Sequence, residues 1–172
     1  MKQYIGTKLI EAKPAYMVNG TVVLADNFDT PFPVPHDAEV KEGYKVRYPD
    51  GYESWSPRDV FERAYLPLIP NPNLKTDQPS ISEEMVDSFI QNWRTDTVGD
   101  KTTVVQAVLR NGFVLVEASS CVNPENYDER IGQEICMNKI KDKVWLLLGF
   151  LLQTAVNGVR GVANKKSETV QS

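Results

Sequence analysis

The sequence predicts an α+β fold in two parts: a small N-terminal antiparallel sheet module with one short helix, then a helix–β-hairpin–long helix domain. Four of the 11 prolines fall within residues 66–82, where they exclude a helix or a central strand. Turn residues interrupt runs of alternating apolar and polar residues, which indicates antiparallel hairpins. Apolar residues then recur at helical spacing over residues 136–155. We therefore expect a β-rich module at 1–65, a linker at 66–82, a domain at 83–158 and a flexible tail at 159–172.

Elements of the module follow from turn and cap chemistry. Lys8–Ala15 and Val22–Ala25 are predicted strands, and Tyr44–Trp55 is a predicted hairpin because Pro-Asp-Gly at its centre favours a turn. Ser56 is the predicted N-cap of a short helix, since a proline and then an acid follow it. Residues 20–43 hold several acids and prolines, which predicts a largely irregular loop.

The domain begins with a predicted helix and hairpin. Ser80 and Glu83 are spaced as a capping box, and five apolar residues follow at helical spacing: Met85, Val86, Phe89, Ile90 and Trp93. Thr102–Arg110 and Phe113–Val122 are β-rich runs joined by Asn-Gly, which predicts a type I′ turn.

A long helix ends the domain. Two helix starts overlap, one with Pro124 at its first position and one in which Asn126 and Glu129 form a capping box. Its predicted buried stripe is Cys136, Ile140, Val144, Leu147, Leu151 and Ala155. Residues 146–152 are apolar around the whole helix, which indicates either a subunit interface or burial within the domain.

Composition favours binding over catalysis. The 172 residues carry 19 basic and 23 acidic side chains, a net charge of −4, which argues against a nucleic acid polymer as partner. The single histidine, His36, would have to serve any histidine-dependent catalytic or metal site. It lies in a proline-rich loop beside an acid, where a surface residue is the simpler interpretation. We expect no enzyme, no metal and no cofactor.

The chain has the features of a cytosolic protein. No apolar run follows Lys2, so we expect no secretion signal. The most apolar stretch, residues 144–152, would span only about 13.5 Å as a helix, less than half a bilayer core. Cys121 and Cys136 form no C-x-x-C pair, and we expect both to be reduced.

One junction has the chemistry of a ligand site. Where a strand end meets a helix start, several backbone N–H groups point at one place, as in many phosphate sites. Nearby acids would need compensating cations. The predicted ligand-binding residues are Arg110, Ser119, Ser120, Asn126, Tyr127, Arg130 and Asn138. The alternative is a well-capped helix with a polar loop. Acid pairs such as Glu83 with Glu84 lie in the first turn of a predicted helix, where acids stabilise the helix dipole without any catalytic role.

Both parts resemble phage proteins. From about Glu83 to Thr154 the chain resembles a family of small tailed-phage proteins. The first shared feature is a strand that runs into a loop of the pattern Ser-x-Cys-Val-x-Pro-x-Asn-aromatic-Asp. Ile131-Gly132 follows, and then a helix that carries a tryptophan and ends in Leu-Leu-Gln. The first part resembles a separate phage module recognised by Ser-Trp-Ser-Pro at residues 54–57.

The resemblance implies a function in the host cytoplasm. The C-terminal resemblance extends to the first-type Thoeris anti-defence proteins, which are oligomeric sponges that bind cyclic ADP-ribose isomers between subunits without degrading them. It implies a small cyclic nucleotide-like ligand and a homo-oligomer formed through the C-terminal helix. The alternatives are a phage accessory protein that binds a host or phage protein, and a nucleotide-degrading enzyme.

Overall fold

The chain forms two compact units with an α+β architecture, so the predicted fold class is confirmed. A computed structural model describes residues 1–29, 33, 37–76 and 78–159. One unit comprises Met1–Pro67 and the described residues from Ala155, and the other is Leu68–Thr154. His36 and the tail from residue 160 lie outside the described residues.

The first unit is a four-stranded antiparallel sheet with one helix. Its elements are β1 (Glu11–Val18), β2 (Thr21–Leu24), β3 (Val40–Arg47), β4 (Glu53–Pro57) and α1 (Arg58–Ala64). The strands lie in the order β2-β1-β3-β4. The predicted hairpin at 44–55 is present, although β3 begins four residues earlier, at Val40. The first strand starts later and runs further than predicted.

Local turn and cap chemistry explains these bounds. Asn19 (φ 48°) and Gly20 (φ 83°) make a two-residue turn between β1 and β2, because both tolerate the left-handed conformation. The cap prediction at Ser56 was wrong. Ser56 pairs with Tyr44 in the sheet, and Pro57 precedes the first helical residue without a side-chain cap.

The second unit is a three-stranded antiparallel sheet packed against a long helix. Its elements are α2 (Glu83–Phe89), β5 (Ile90–Val98), β6 (Thr102–Leu109), β7 (Val114–Ser120), a 3-10 turn (Pro124–Asn126) and α3 (Glu129–Asn157). The strands lie in the order β5-β6-β7. The hairpin is therefore part of a larger sheet, since Ile90 and Trp93 belong to β5 and not to the predicted helix.

Two further predictions in this unit were wrong in detail. Ser82, and not Ser80, caps α2, because its hydroxyl accepts from the Met85 N–H. The turn after β6 is not type I′, since Gly112 has positive φ and Asn111 does not. A three-residue loop closes it, with the Gly112 N–H donating to the Leu109 carbonyl.

α3 covers one face of this sheet with a stripe spaced by four residues. Its buried members are Gly132, Cys136, Ile140, Val144 and Leu148. They face a buried row on β6: Thr103, Val105, Ala107 and Leu109. Leu147 and Leu151, predicted in this stripe, are 39% and 40% exposed. The buried row keeps a strict i,i+4 spacing down to Leu148, so the predicted change to Leu147 and Leu151 does not occur.

Candidate functional site

A small cavity lies where β7 ends and α3 begins. It encloses about 130 Å³ and is lined by Lys101, Thr103, Ser119, Ser120, Cys121, Asn126, Tyr127, Asp128, Ile131, Gly132 and Ile135. Four of the seven predicted ligand-binding residues are among them: Ser119, Ser120, Asn126 and Tyr127. The structure therefore brings the strand-end serines to the helix-start amide and phenol.

Two consecutive caps shape the junction. The Asn123 side chain accepts from the Glu125 N–H at 3.1 Å and closes the 3-10 turn. The Asp128 carboxylate then accepts from the Arg130 N–H at 2.9 Å at the start of α3. The predicted capping role of Asn126 falls instead to Asp128, which leaves Asn126 free to line the cavity.

A hydroxyl network fixes the back of the cavity. The Tyr127 hydroxyl lies 2.6 Å from Thr97 Oγ1 and 3.0 Å from Thr103 Oγ1. Thr97 also donates to a Glu129 carboxylate oxygen at 3.3 Å. Tyr127 is thus held in place by β5 and β6. Ser119 pairs with Thr103 and faces the same side of the sheet. Ser120 faces the other side, where its hydroxyl lies 2.9 Å from that of Thr102.

The cation that lines the cavity is a lysine and not an arginine. Lys101 lies between β5 and β6, and its Nζ is 3.5 Å from the Val122 carbonyl oxygen. The lining acid is Asp128, whose pKa is lowered by hydrogen bonds from the Arg130 side chain and backbone. Sequence reasoning missed Lys101, because a lysine beside a turn has no pattern that separates it from surface lysines.

The two predicted arginines and Asn138 do not line the cavity. Arg110 lies in the β6–β7 turn, where its N–H donates to the Phe89 carbonyl at 2.9 Å. That turn is at the other end of β7, about 20 Å away for a strand of this length. The Arg130 side chain is 91% exposed and paired with Asp128 at 3.3 Å. Asn138 is exposed on α3.

Comparison with known proteins assigns a family likeness to this part of the chain. Residues 81–156 match the family described as phage protein (N4 Gp49/phage Sf6 gene 66). The matched segment contains every residue that lines the cavity and nearly all of α3. No curated protein and no solved structure matches the chain. A phage protein family is therefore indicated for the segment that carries the candidate site.

Neither a metal site nor a membrane-spanning helix is found in the described part of the chain. In the ranges that the structure describes, no group of three or more histidine, cysteine, aspartate or glutamate side chains is arranged to hold a metal ion. No helix among those residues is both long enough and apolar enough to cross a bilayer.

Proposed function

We propose that this phage protein binds a small cyclic nucleotide-like host signal of the cyclic ADP-ribose class and sequesters it without degrading it. The observation that supports the proposal is the cavity that gathers Ser119, Ser120, Asn126 and Tyr127. Hydroxyls, an amide and a phenol are suitable partners for ribose and base. The action would take place in the cytoplasm of the infected host, where such a signal is made.

Charge at the cavity supports a phosphorylated ligand through Lys101. An ammonium group contributes charge-assisted hydrogen bonds to phosphate oxygens. Asp128 would oppose an anion, but its carboxylate is already engaged by the Arg130 side chain and N–H. Lys101 and the Ser119 hydroxyl therefore form the favourable side of the cavity for a phosphate.

The size of the cavity supports a site completed by a second copy of the chain. A volume of about 130 Å³ is below the range of about 300–1,000 Å³ that holds a drug-sized ligand. Leu146 and Phe150 on α3 are each 72% exposed, as an oligomer through this helix would require. Such an assembly would add walls, and cations such as Arg130 of a second copy, to the ligand.

The test is depletion and recovery of the signal. Purified protein is mixed with a cyclic ADP-ribose isomer, and the ligand left in the ultrafiltrate is quantified by mass spectrometry. We expect depletion in proportion to protein, and return of the intact ligand after heating. A cleaved product would show an enzyme, and an undiminished filtrate would refute ligand binding.

Variants locate the binding site. We expect Lys101→Gln to weaken binding about tenfold or more, since one charge-assisted hydrogen bond is worth about 1.5–3 kcal/mol. Lys75→Gln is the matched control, because Lys75 is exposed and does not line the cavity. Equal affinities of the two variants would refute the assignment of this cavity.

A second candidate function is binding of a host or phage protein through α3. The observation that favours it is the same exposed pair, Leu146 and Phe150, on the outside of a helix. Recovery of one stoichiometric protein from infected cells by the wild type, and its loss with Phe150→Ser, would support this candidate. Retention of that protein by the variant would refute it.

A further inference from the structure

β7 is an edge strand with an apolar outer surface. It lies at one side of the β5-β6-β7 sheet, and alternate residues face opposite sides. Leu115 and Glu117 are half-buried on the side of α3, whereas Val114, Val116 and Ala118 are exposed on the other face. Val114 is 43% and Val116 54% exposed. The outer face of this edge is therefore open and mostly apolar.

The register of β7 shows which of its backbone groups are unpaired with β6. Leu109 N–H donates to the Phe113 carbonyl, and Cys121 N–H donates to the Lys101 carbonyl. Because bonding alternates along an antiparallel pair, the odd-numbered residues of β7 bond to β6. The even-numbered residues, 114 to 120, direct their N–H and C=O groups away from the sheet. The Ala118 carbonyl accepts from Lys139 Nζ at 3.0 Å.

The usual protection of an edge strand is weak here. Edges are commonly blunted by proline, by bulges or by outward charges. β7 contains no proline, and its register with β6 continues without a shift from Val114 to Ser120. Its charged residue, Glu117, faces α3 and forms an ion pair with Lys143. Lys139 alone, among the described contacts, covers an outward backbone group of β7.

We infer that β7 pairs antiparallel with β7 of a second copy of this chain, to form a continuous six-stranded sheet. The inferred register places Leu115 opposite Leu115 of the second copy, and Val114 opposite its Val116. A two-fold axis then supplies each copy with the same donors and acceptors. Valine meets valine on the outer face, where cross-strand β-branched pairs are favourable.

Two features favour this register over neighbouring registers. They are the charge of Glu117 and the contact between Lys139 Nζ and the Ala118 carbonyl oxygen. A shift of two residues places Glu117 opposite Leu115 and pairs the outward groups of Ala118 with those of Val114. A shift of four residues places Glu117 opposite itself, and like charges directly opposite are destabilising. The inferred register avoids both and leaves the Ala118 carbonyl to Lys139.

A site-specific cross-link tests the pairing. In a Cys121→Ser, Cys136→Ala background, Leu115→Cys places two thiols at a non-hydrogen-bonded pair, where the Cα atoms lie about 4.5 Å apart, within disulfide range. We expect a covalent dimer of twice 19.4 kDa on mild oxidation. Val98→Cys is the control, since Val98 is 57% exposed on the opposite edge strand. Equal cross-linking of the two variants would overturn the inference.

Sedimentation of charged variants gives an independent test that does not depend on ligand binding. Val116→Lys places two cations close together across the axis, and we expect it to raise the Kd of this contact about 100-fold. Val98→Lys makes the same change on the same face at the far edge and should leave association unchanged. A wild-type chain that stays monomeric at high concentration would overturn the proposal. A monomeric chain that binds a different protein through β7 would also overturn the proposal.

Discussion

Gly132 on α3 lies directly against the side chain of Thr103 on β6, with no space between them for a methyl group. The contact joins helix and sheet beside the candidate cavity, which both residues line. We predict that Gly132→Ala lowers the free energy of unfolding by about 1–3 kcal/mol, because overpacking must displace Thr103 or the helix. Urea denaturation measures the change.

Gly149 on the same helix supplies the matched control. A Cβ there would meet no atom within 4 Å, and glycine within a helix costs about 0.5–1 kcal/mol relative to alanine. Gly149→Ala should therefore raise stability slightly. If the two substitutions shifted the urea midpoint equally, the steric account of Gly132 would be wrong.

Lys143 is predicted to stabilise the second unit through Glu117 on β7. The Glu117 side chain is only 14% exposed, while that of Lys143 is 50% exposed. Lys143→Met should destabilise the chain by about 1–2 kcal/mol, between the values for exposed and buried pairs, because a half-buried carboxylate loses its cation. The control is Lys141→Met. Its partner carboxylate, Asp87, is 48% exposed, against 14% for Glu117, so loss of the cation should change thermal unfolding less.

The two cysteines should differ in reactivity. Cys136 is 0% exposed, and burial raises the pKa of its thiol, so the reactive thiolate is scarce as well as covered. Cys121 is half-buried at the edge of the cavity. A chromogenic disulfide reagent should titrate one thiol per native chain and two in urea. Cys121→Ser should abolish the native reaction, and a persisting fast phase in that variant would contradict the prediction.

Much of the fold could be predicted because turns and stripes are local. The Pro-Asp-Gly and Asn-Gly turns predicted both hairpins, and the apolar stripe from Cys136 onward predicted α3. The strand β5 could not be predicted, because Phe89 and Trp93 satisfy both a helical period and a strand period. Pairing with β6 from Ile90 onward selects the strand over the helix. This pairing joins different segments of the chain, so the local sequence pattern does not reveal it.

The candidate site was predictable only where it is continuous in sequence. Ser119, Ser120, Asn126 and Tyr127 belong to one junction and reach one cavity. Thr97 and Lys101 come from β5 and the turn after it, beyond the end of the predicted helix at Trp93, where the sequence predicted no element. The choice of Arg110 failed for a geometric reason, because the far end of a hairpin is a strand length away from its near end.

The first unit contains a linked tyrosine and carboxylate that should limit its stability at both ends of the pH range. The Tyr44 hydroxyl donates to Glu62 at 2.9 Å, and Arg58 donates to the same carboxylate at 2.9 Å. The hydrogen bond from Arg58 lowers the pKa of Glu62. The stabilisation contributed by the ionised Glu62 carboxylate is therefore present above its unfolded pKa, near 4.5. It is lost as pH falls through the lower pKa of the folded state.

Tyr44 acts at the alkaline end. Burial, and then the hydrogen bond to Glu62, raises the pKa of its hydroxyl above 10.0. Its stabilisation is present below the unfolded pKa and is lost as pH rises through the higher folded pKa. Tyr44→Phe should therefore flatten the fall of Tm measured by circular dichroism from about pH 9 to 11.5. Tyr65, whose pKa burial also raises, would retain part of the slope. Tyr52→Phe, at a tyrosine that is 64% exposed, is the control, and parallel curves for the two variants would contradict the role of Tyr44.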